Sequence, residues 1–205
     1  MRVGSEPDPE KLLQLARRGN REAQGQLLEL YRNYLTLLAR VAIDRQLRGK
    51  ADPSDLVQET FLAAYRDFVQ FRGRTEPELV GWLRRMLASN LVNLVRRYRL
   101  TQRRDVRLEI QVAAQIDHSS LALGQAPVAR DSSPSQQAVR REEAVLLADA
   151  LERLPADYRE AITLRQLEGL SFADVARRMG RSVDSVKKLW VRGLARLRDF
   201  LGSAE

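Results

Sequence analysis

The stretch from Leu154 to Leu201, LPADYREAITLRQLEGLSFADVARRMGRSVDSVKKLWVRGLARLRDFL, constrains this chain more than any other. Two helical patterns meet there at a Gly-Arg-Ser turn. Ser171 is placed to cap a short helix on which Phe172, Val175, Ala176 and Met179 share one face. Gly180 can take the left-handed conformation that ends such a helix. Ser182 is the next candidate cap, with Asp184 in the first turn beyond it. Val183, Val186, Trp190, Gly193, Leu194, Leu197 and Leu201 then form one apolar stripe. Ser185, Lys188 and Arg192 lie opposite, with Lys187 beside them. Caps, turn and basic face together predict a helix-turn-helix that touches DNA. Such motifs read bases from the N-terminal part of the second helix and use phosphate contacts for register. Asp184, Ser185, Lys187 and Lys188 are therefore the candidate base readers, and Arg177, Arg178, Arg181 and Arg192 the candidate phosphate contacts. The competing reading is a helical hairpin with a solvated basic face.

Charge extends the argument. The formal net charge is +8, and the segment from Arg84 to Arg107 holds eight arginines against one acid, Asp105. So focused a block suits a polyanion better than it suits general solubility. The alternative for it, too, is a solvated helix face. There is no cysteine, which excludes disulfides, thiol nucleophiles and cysteine-based metal sites. No apolar run approaches membrane-spanning length, and MRVGSEPDPEKLL lacks a signal-peptide core. A cytoplasmic protein without membrane insertion is expected.

Three parts are visible along the 205 residues. Residues 8–107 are helical in pattern, residues 108–133 collect Ser, Gly and Pro and read as a flexible linker, and residues 134–203 are helical again. In the first part a helix begins around Leu12 and ends near Gly19-Asn20. A second is predicted from about Glu22 to Arg45, with Leu27, Leu30, Tyr31, Tyr34, Leu38 and Val41 on its core side. Asp52 caps a third, with Pro53 in its first turn. Thr75-Glu76-Pro77-Glu78 is a capping box opening a fourth. Ser133-Pro134-Ser135-Gln136 opens the last part in the same way, and QRRDVRLEIQVAAQ suggests helix at the start of the linker. The expected fold class is all-α: two small helical domains joined by a flexible linker.

On the third helix, Asp55, Gln58 and Glu59 sit one turn apart beside Leu56 and Thr60. Three readings compete for them. One is a solvated acidic face near a helix N-terminus. Another is a metal site, which needs more converging ligands than are present, since His118 is the one histidine and lies in the linker segment. The third is a docking face for a basic protein surface, which mixed apolar and acidic residues fit best. Tyr65, Phe68 and Phe71 follow at near-helical spacing, mostly as core, with a minority available to stack on an unpaired base at ~1–3 kcal/mol. The basic loop Arg72-Gly73-Arg74-Thr75 lies between this helix and the arginine-rich one, where an extruded nucleotide could be held.

These parts resemble a known family in this order. DPSDLVQETFLAAYRDFVQFRG resembles the second region of bacterial RNA polymerase sigma factors. WLRRMLASNLVNLVRRYR is similar to the promoter-melting helix that follows it, and Leu154 to Arg198 resembles the fourth region. A short tether stands where primary sigma factors carry a large third region, as in the extracytoplasmic-function subfamily. The resemblance implies that Asp55, Leu56, Gln58 and Glu59 dock on the coiled-coil clamp of the polymerase core, with beta-prime and beta as partners. It implies that the loop from Phe71, with Arg72 and Arg74, and the helix bearing Arg84, Arg85, Asn90, Asn93, Arg96 and Arg97 engage the minus-ten element and the melted strand. It assigns Ser185, Lys187, Lys188 and Arg192 to the minus-thirty-five element. Asn93 and Leu189 depart from the family's aspartate and basic residue, which bears on the promoter sequence read rather than on the class.

The implied function is promoter-specific initiation by a non-enzymatic factor that needs no cofactor. An anti-sigma inhibitor is a partner that this implication leaves room for. Two rivals stay open. One is a stand-alone helix-turn-helix regulator, which leaves the acidic helix unexplained. The other is a metal-dependent DNA-modifying enzyme built on Asp52, Asp55 and Glu59, which lacks a nucleophile or a third ligand cluster.

Overall fold

A computed structural model describes residues 8–47, 51–98, 106–123 and 134–202. The chain divides into two compact units, Met1–Asp117 and His118–Glu205. The described residues contain helices and no strand, as the hydrophobic spacing requires. None of these helices is long and apolar enough to cross a membrane.

The first unit opens with α1 (Pro9–Arg17), capped by Asp8, whose Oδ1 accepts from the N–H groups of Glu10 at 3.0 Å and Lys11 at 3.3 Å. Asn20 caps α2 (Arg21–Glu29) in the same way, through the Ala23 N–H. The single helix expected over 22–45 is two. The chain tightens at Leu30-Tyr31, where the Tyr31 N–H bonds Leu28 three residues back, and α3 (Arg32–Leu47) restarts beyond it. The break turns Tyr31 inward, and its hydroxyl donates to Glu76 at 2.8 Å. Burial, with the Glu76 carboxylate beside it, pushes the phenol far above its ordinary pKa and keeps it a donor.

Asp52 and Pro53 start α4 (Pro53–Asp67) as the sequence predicts, with the Ser54 N–H on Asp52 Oδ1 at 2.8 Å. A 3-10 turn, Phe68–Gln70, leads to the loop before α5 (Glu76–Tyr98). Leu79, Leu83, Leu87, Leu91 and Val95 repeat every fourth residue along α5 and are fully buried. Each such side chain contributes about 1.5–3 kcal/mol relative to exposure.

The helix expected at the start of the linker is present and runs further than its sequence suggests: residues 106–123 form α6 (Val106–Leu123). Leu108, Val112 and Ile116 make a buried stripe at helical spacing. Glu109 pairs with Arg96 at 2.7 Å, Asp117 faces Arg84 at 3.6 Å, and Gln46 donates to Gln115 at 3.1 Å. The residues of α6 up to Asp117 belong to the first unit. Residues 124–133 of the expected linker, the cap Ser133, and Arg99, Arg103, Arg104 and Asp105 lie outside the described residues.

The second unit comprises α7 (Pro134–Glu152), α8 (Ala156–Ile162), a π turn Thr163–Leu167, α9 (Phe172–Met179) and α10 (Val183–Gly202). Leu164, Val175, Ala176 and Val186 form its central cluster, with Leu170, Phe172 and Met179 packed against it. Gly180 is left-handed, φ 63°, and ends α9 as predicted. Gly193 lets α10 lie close against α8. A Cβ there would sit 2.9 Å from Ile162 Cδ1 and 3.2 Å from Tyr158 Cβ.

Candidate nucleic-acid and docking surfaces

On α4, Asp55, Gln58 and Glu59 are exposed, whereas Leu56 is only 2% exposed. Leu56, expected on the docking face with them, points into the core of the unit and not to solvent. Its carbonyl accepts from Thr60 Oγ1 at 2.8 Å, and Thr60 in turn accepts from Asn90 Nδ2 at 3.1 Å. Asn90, expected on the DNA side, instead joins α5 to α4. The acidic face continues C-terminally at helical spacing through Leu62, 65% exposed, to Tyr65 and then Val69, 84% exposed. The face is therefore acidic at one end and apolar at the other.

The basic helix α5 presents a mixed face. Arg85 and Asn93 are exposed. Arg97 spans to α4 and donates to both Glu59 oxygens, at 3.3 and 3.0 Å. Arg84 and Arg96 are largely covered, their ion pairs running to Asp117 and Glu109 of α6. Three of the arginines expected to meet DNA thus already have carboxylate partners within the unit. The sequence carries no signal for these pairs, because each joins residues of different helices, 13 to 38 positions apart.

Between α4 and α5, Phe71 is buried rather than available to a base. It packs on Phe68 and Trp82 with ring centroids 5.8 and 5.1 Å away, and Phe68 meets Trp82 edge-on at 6.1 Å. Arg72 and Arg74 are exposed and take part in no ion pair among the described residues. The capping box forms: Glu78 Oε2 accepts from the N–H groups of Arg74 at 2.8 Å and Thr75 at 3.0 Å, and from Thr75 Oγ1 at 2.9 Å. The Arg74 amide first, then the Thr75 hydroxyl and amide, hold this carboxyl below the usual glutamate range.

In the second unit, Ser171 Oγ accepts from the Asp174 N–H at 3.1 Å, and Ser182 Oγ from the Ser185 N–H at 3.2 Å, so both predicted caps form. Asp184, Lys187, Lys188 and Arg192 are exposed on α10 and Ser185 is half-buried. Lys187, Lys188 and Arg192 take part in no ion pair among the described residues. The other arginines are engaged: Arg177 with Asp174, Arg178 with Glu168 at 3.8 Å, and Arg181 with Asp157 at 2.6 Å. The Ser171 hydroxyl and then Arg177 hold Asp174 below the ordinary aspartate range. Trp190 packs edge-on against Phe172 at 5.6 Å, consistent with a core role.

Among the described residues, no three His, Cys, Asp or Glu side chains are grouped to hold a metal. Asp52 is occupied as a helix cap and Glu59 by Arg97. The arrangement offers carboxylate and guanidinium surfaces for binding.

Comparison with known proteins agrees with the order of these surfaces. Residues 30–101 match Sigma-70 region 2 and residues 144–197 match Sigma-70, region 4. The chain is 30% identical over 176 residues to the ECF RNA polymerase sigma-E factor of Haemophilus influenzae, covering 86% of each chain. It is 31% identical over 180 residues to the RNA polymerase sigma-H factor of Pseudomonas aeruginosa, covering 87% of this chain and 86% of that one. With the sigma factor CarQ of Myxococcus xanthus it shares 32% identity over 163 residues, 78% of this chain and 81% of that one. Among solved structures, it is similar to CnrH in complex with the cytosolic domain of CnrY, with 25% identity, 97% of this chain and 100% of that chain covered, and a TM-score of 0.36. The chain belongs to the bacterial RNA polymerase sigma factors, in their extracytoplasmic-function branch.

Proposed function

We propose that the exposed face of α4 is the surface that grips the polymerase core, and that the two basic surfaces divide promoter reading between them. The observation that carries this is the continuity of Asp55, Gln58 and Glu59 with the exposed apolar residues Leu62 and Tyr65. A basic and partly apolar coiled-coil surface such as the beta-prime clamp complements it. Leu56 supports that face from the core.

In the same reading, Arg72, Arg74, Arg85 and Asn93 meet the minus-ten element and the displaced strand. Arg84, Arg96 and Arg97 join them only by exchanging their carboxylate partners. On α10, Lys187 and Lys188 with Asp184 and Ser185 read the minus-thirty-five element, and Arg192 takes phosphate. Arg177, Arg178 and Arg181 follow as secondary phosphate contacts. The first DNA-reading module extends into α6 as far as Asp117, and the helices of the second begin with α7. The factor works in the cytoplasm without bond chemistry or a cofactor of its own. Tethering makes the second promoter contact effectively intramolecular, so two modest interfaces act as one tight one.

Reconstituted transcription with core polymerase tests the docking face. Asp55→Arg should reduce core affinity by at least ten-fold while leaving the protein folded by circular dichroism. Glu59→Gln is the milder partner variant, because an arginine there would face Arg97. Normal core binding by Asp55→Arg with Glu59→Gln would remove this surface from the docking role. Duplex binding without core, at wild-type specificity, would favour a stand-alone regulator.

A further inference from the structure

The loop between α4 and α5 has its backbone held from two sides. On one side Glu78 takes the N–H groups of Arg74 and Thr75. On the other, Arg17, the last residue of α1, donates through one guanidinium nitrogen to the carbonyls of Gly73 and, at 3.5 Å, Arg72. These partners lie 55 and 56 residues apart in sequence. Gly73 itself packs on the Phe71 ring and 2.9 Å from Glu78 by the Cβ it lacks, so the loop also has a solid floor. The Phe71 N–H bonds the Phe68 carbonyl at 3.0 Å. From Phe71 to Thr75, the polar backbone groups named here are each tied to the body of the unit. The Arg72 and Arg74 side chains are exposed and in no described ion pair.

A loop with this wiring is set before its ligand arrives. Charge-assisted donation to carbonyls is stronger than a neutral hydrogen bond. Fixing the loop in advance removes the ordering that binding would otherwise require. Resting on the promoter-reading role given above, we infer that Arg17 is a positioning residue for strand opening. It acts through the 72–75 backbone and holds Arg72 and Arg74 where they meet the displaced strand. Arg17 itself touches no nucleotide in this assignment. The first helix, which carries none of the promoter-reading residues, thereby sets the geometry of the opening loop.

The test uses full-length protein, core polymerase and a promoter isolated from a genomic fragment library by run-off transcription with the wild-type holoenzyme. Open-complex formation is followed by 2-aminopurine fluorescence in the minus-ten element. Arg17→Ala should slow opening about ten-fold, the loss expected for one charge-assisted bond. Core affinity, upstream-element binding and melting temperature should stay at wild-type values. Arg17→Lys, with a point charge able to serve one carbonyl, should fall between the two.

A double-mutant cycle supplies the decisive readout. In an Arg72→Ala/Arg74→Ala background, Arg17→Ala should add less than two-fold, because the groups it positions are gone. Full additivity, normal opening by Arg17→Ala, or a defect that tracks a lower melting temperature would each overturn the inference while leaving the promoter-reading role intact. A wild-type holoenzyme that initiates nowhere in the library would overturn that role and this inference with it.

Discussion

Glu78 shows how one local spacing becomes a functional device. Three residues beyond Thr75 it closes a capping box, and it also takes the Arg74 amide, so the same carboxylate starts α5 and fixes the loop before it. Those donors bind the ionised form and depress its pKa. For a carboxyl depressed in the folded state, the associated stability is complete above the unfolded pKa and is lost as pH falls through the folded one. Amide resonances of Arg74 and Thr75 should therefore titrate together below the ordinary glutamate range. In Glu78→Gln that titration should vanish, and both amides should exchange faster with solvent. A midpoint at or above the ordinary value would show that the carboxylate does not hold the loop.

At the scale of elements, two contacts determine how the helices sit. Gly193 is the contact point of α10 with α8, and its missing side chain is what allows the approach. Gly193→Ala must displace Ile162 or separate the helices, at about 1–3 kcal/mol. The second unit should melt several degrees lower by calorimetry, since about 1 kcal/mol corresponds to ~4–8 °C in a domain of this size. An unchanged melting temperature would mean that the crossing has slack. In the first unit α6 is joined to α5 by the Arg96–Glu109 pair, in which both side chains are largely covered. Glu109→Gln should destabilise that unit by about 1 kcal/mol, the upper end for partly exposed pairs. Chemical denaturation followed by Trp82 fluorescence, in a Trp190→Phe background that silences the second unit, measures this. No change would show that the buried Leu108, Val112 and Ile116 stripe holds α6 alone.

At the scale of the whole molecule, the described residues separate their charges. Exposed acid collects on α4, while cations in no ion pair among the described residues lie on the 72–74 loop and on α10. Lys188→Ala should weaken holoenzyme binding at the upstream element and leave core affinity unchanged. If Lys188 contacts phosphate, the slope of log affinity against log salt should fall by about 0.9. An unchanged slope together with relaxed sequence preference would place Lys188 on a base edge instead. Unaltered footprints would remove it from the interface.

Helix caps, the left-handed Gly180 and the apolar face of α9 could be read along the chain, and so could the middle of the α10 stripe, though Val183 and Leu201 at its ends are exposed, because each depends on residues one to four positions apart. The helix-turn-helix, the capping box at Thr75 and the acidic α4 face are of that kind, and with them came the family. The burial of Leu56 and Phe71, the bond from Asn90 to Thr60, the covering of Arg84 and Arg96 by α6 and the reach of Arg17 to Gly73 are of another kind. Those contacts join residues up to 56 positions apart. Local spacing carries no record of which side chains packing will bring together, so only the folded chain separates the cations free to meet DNA from those already engaged within it.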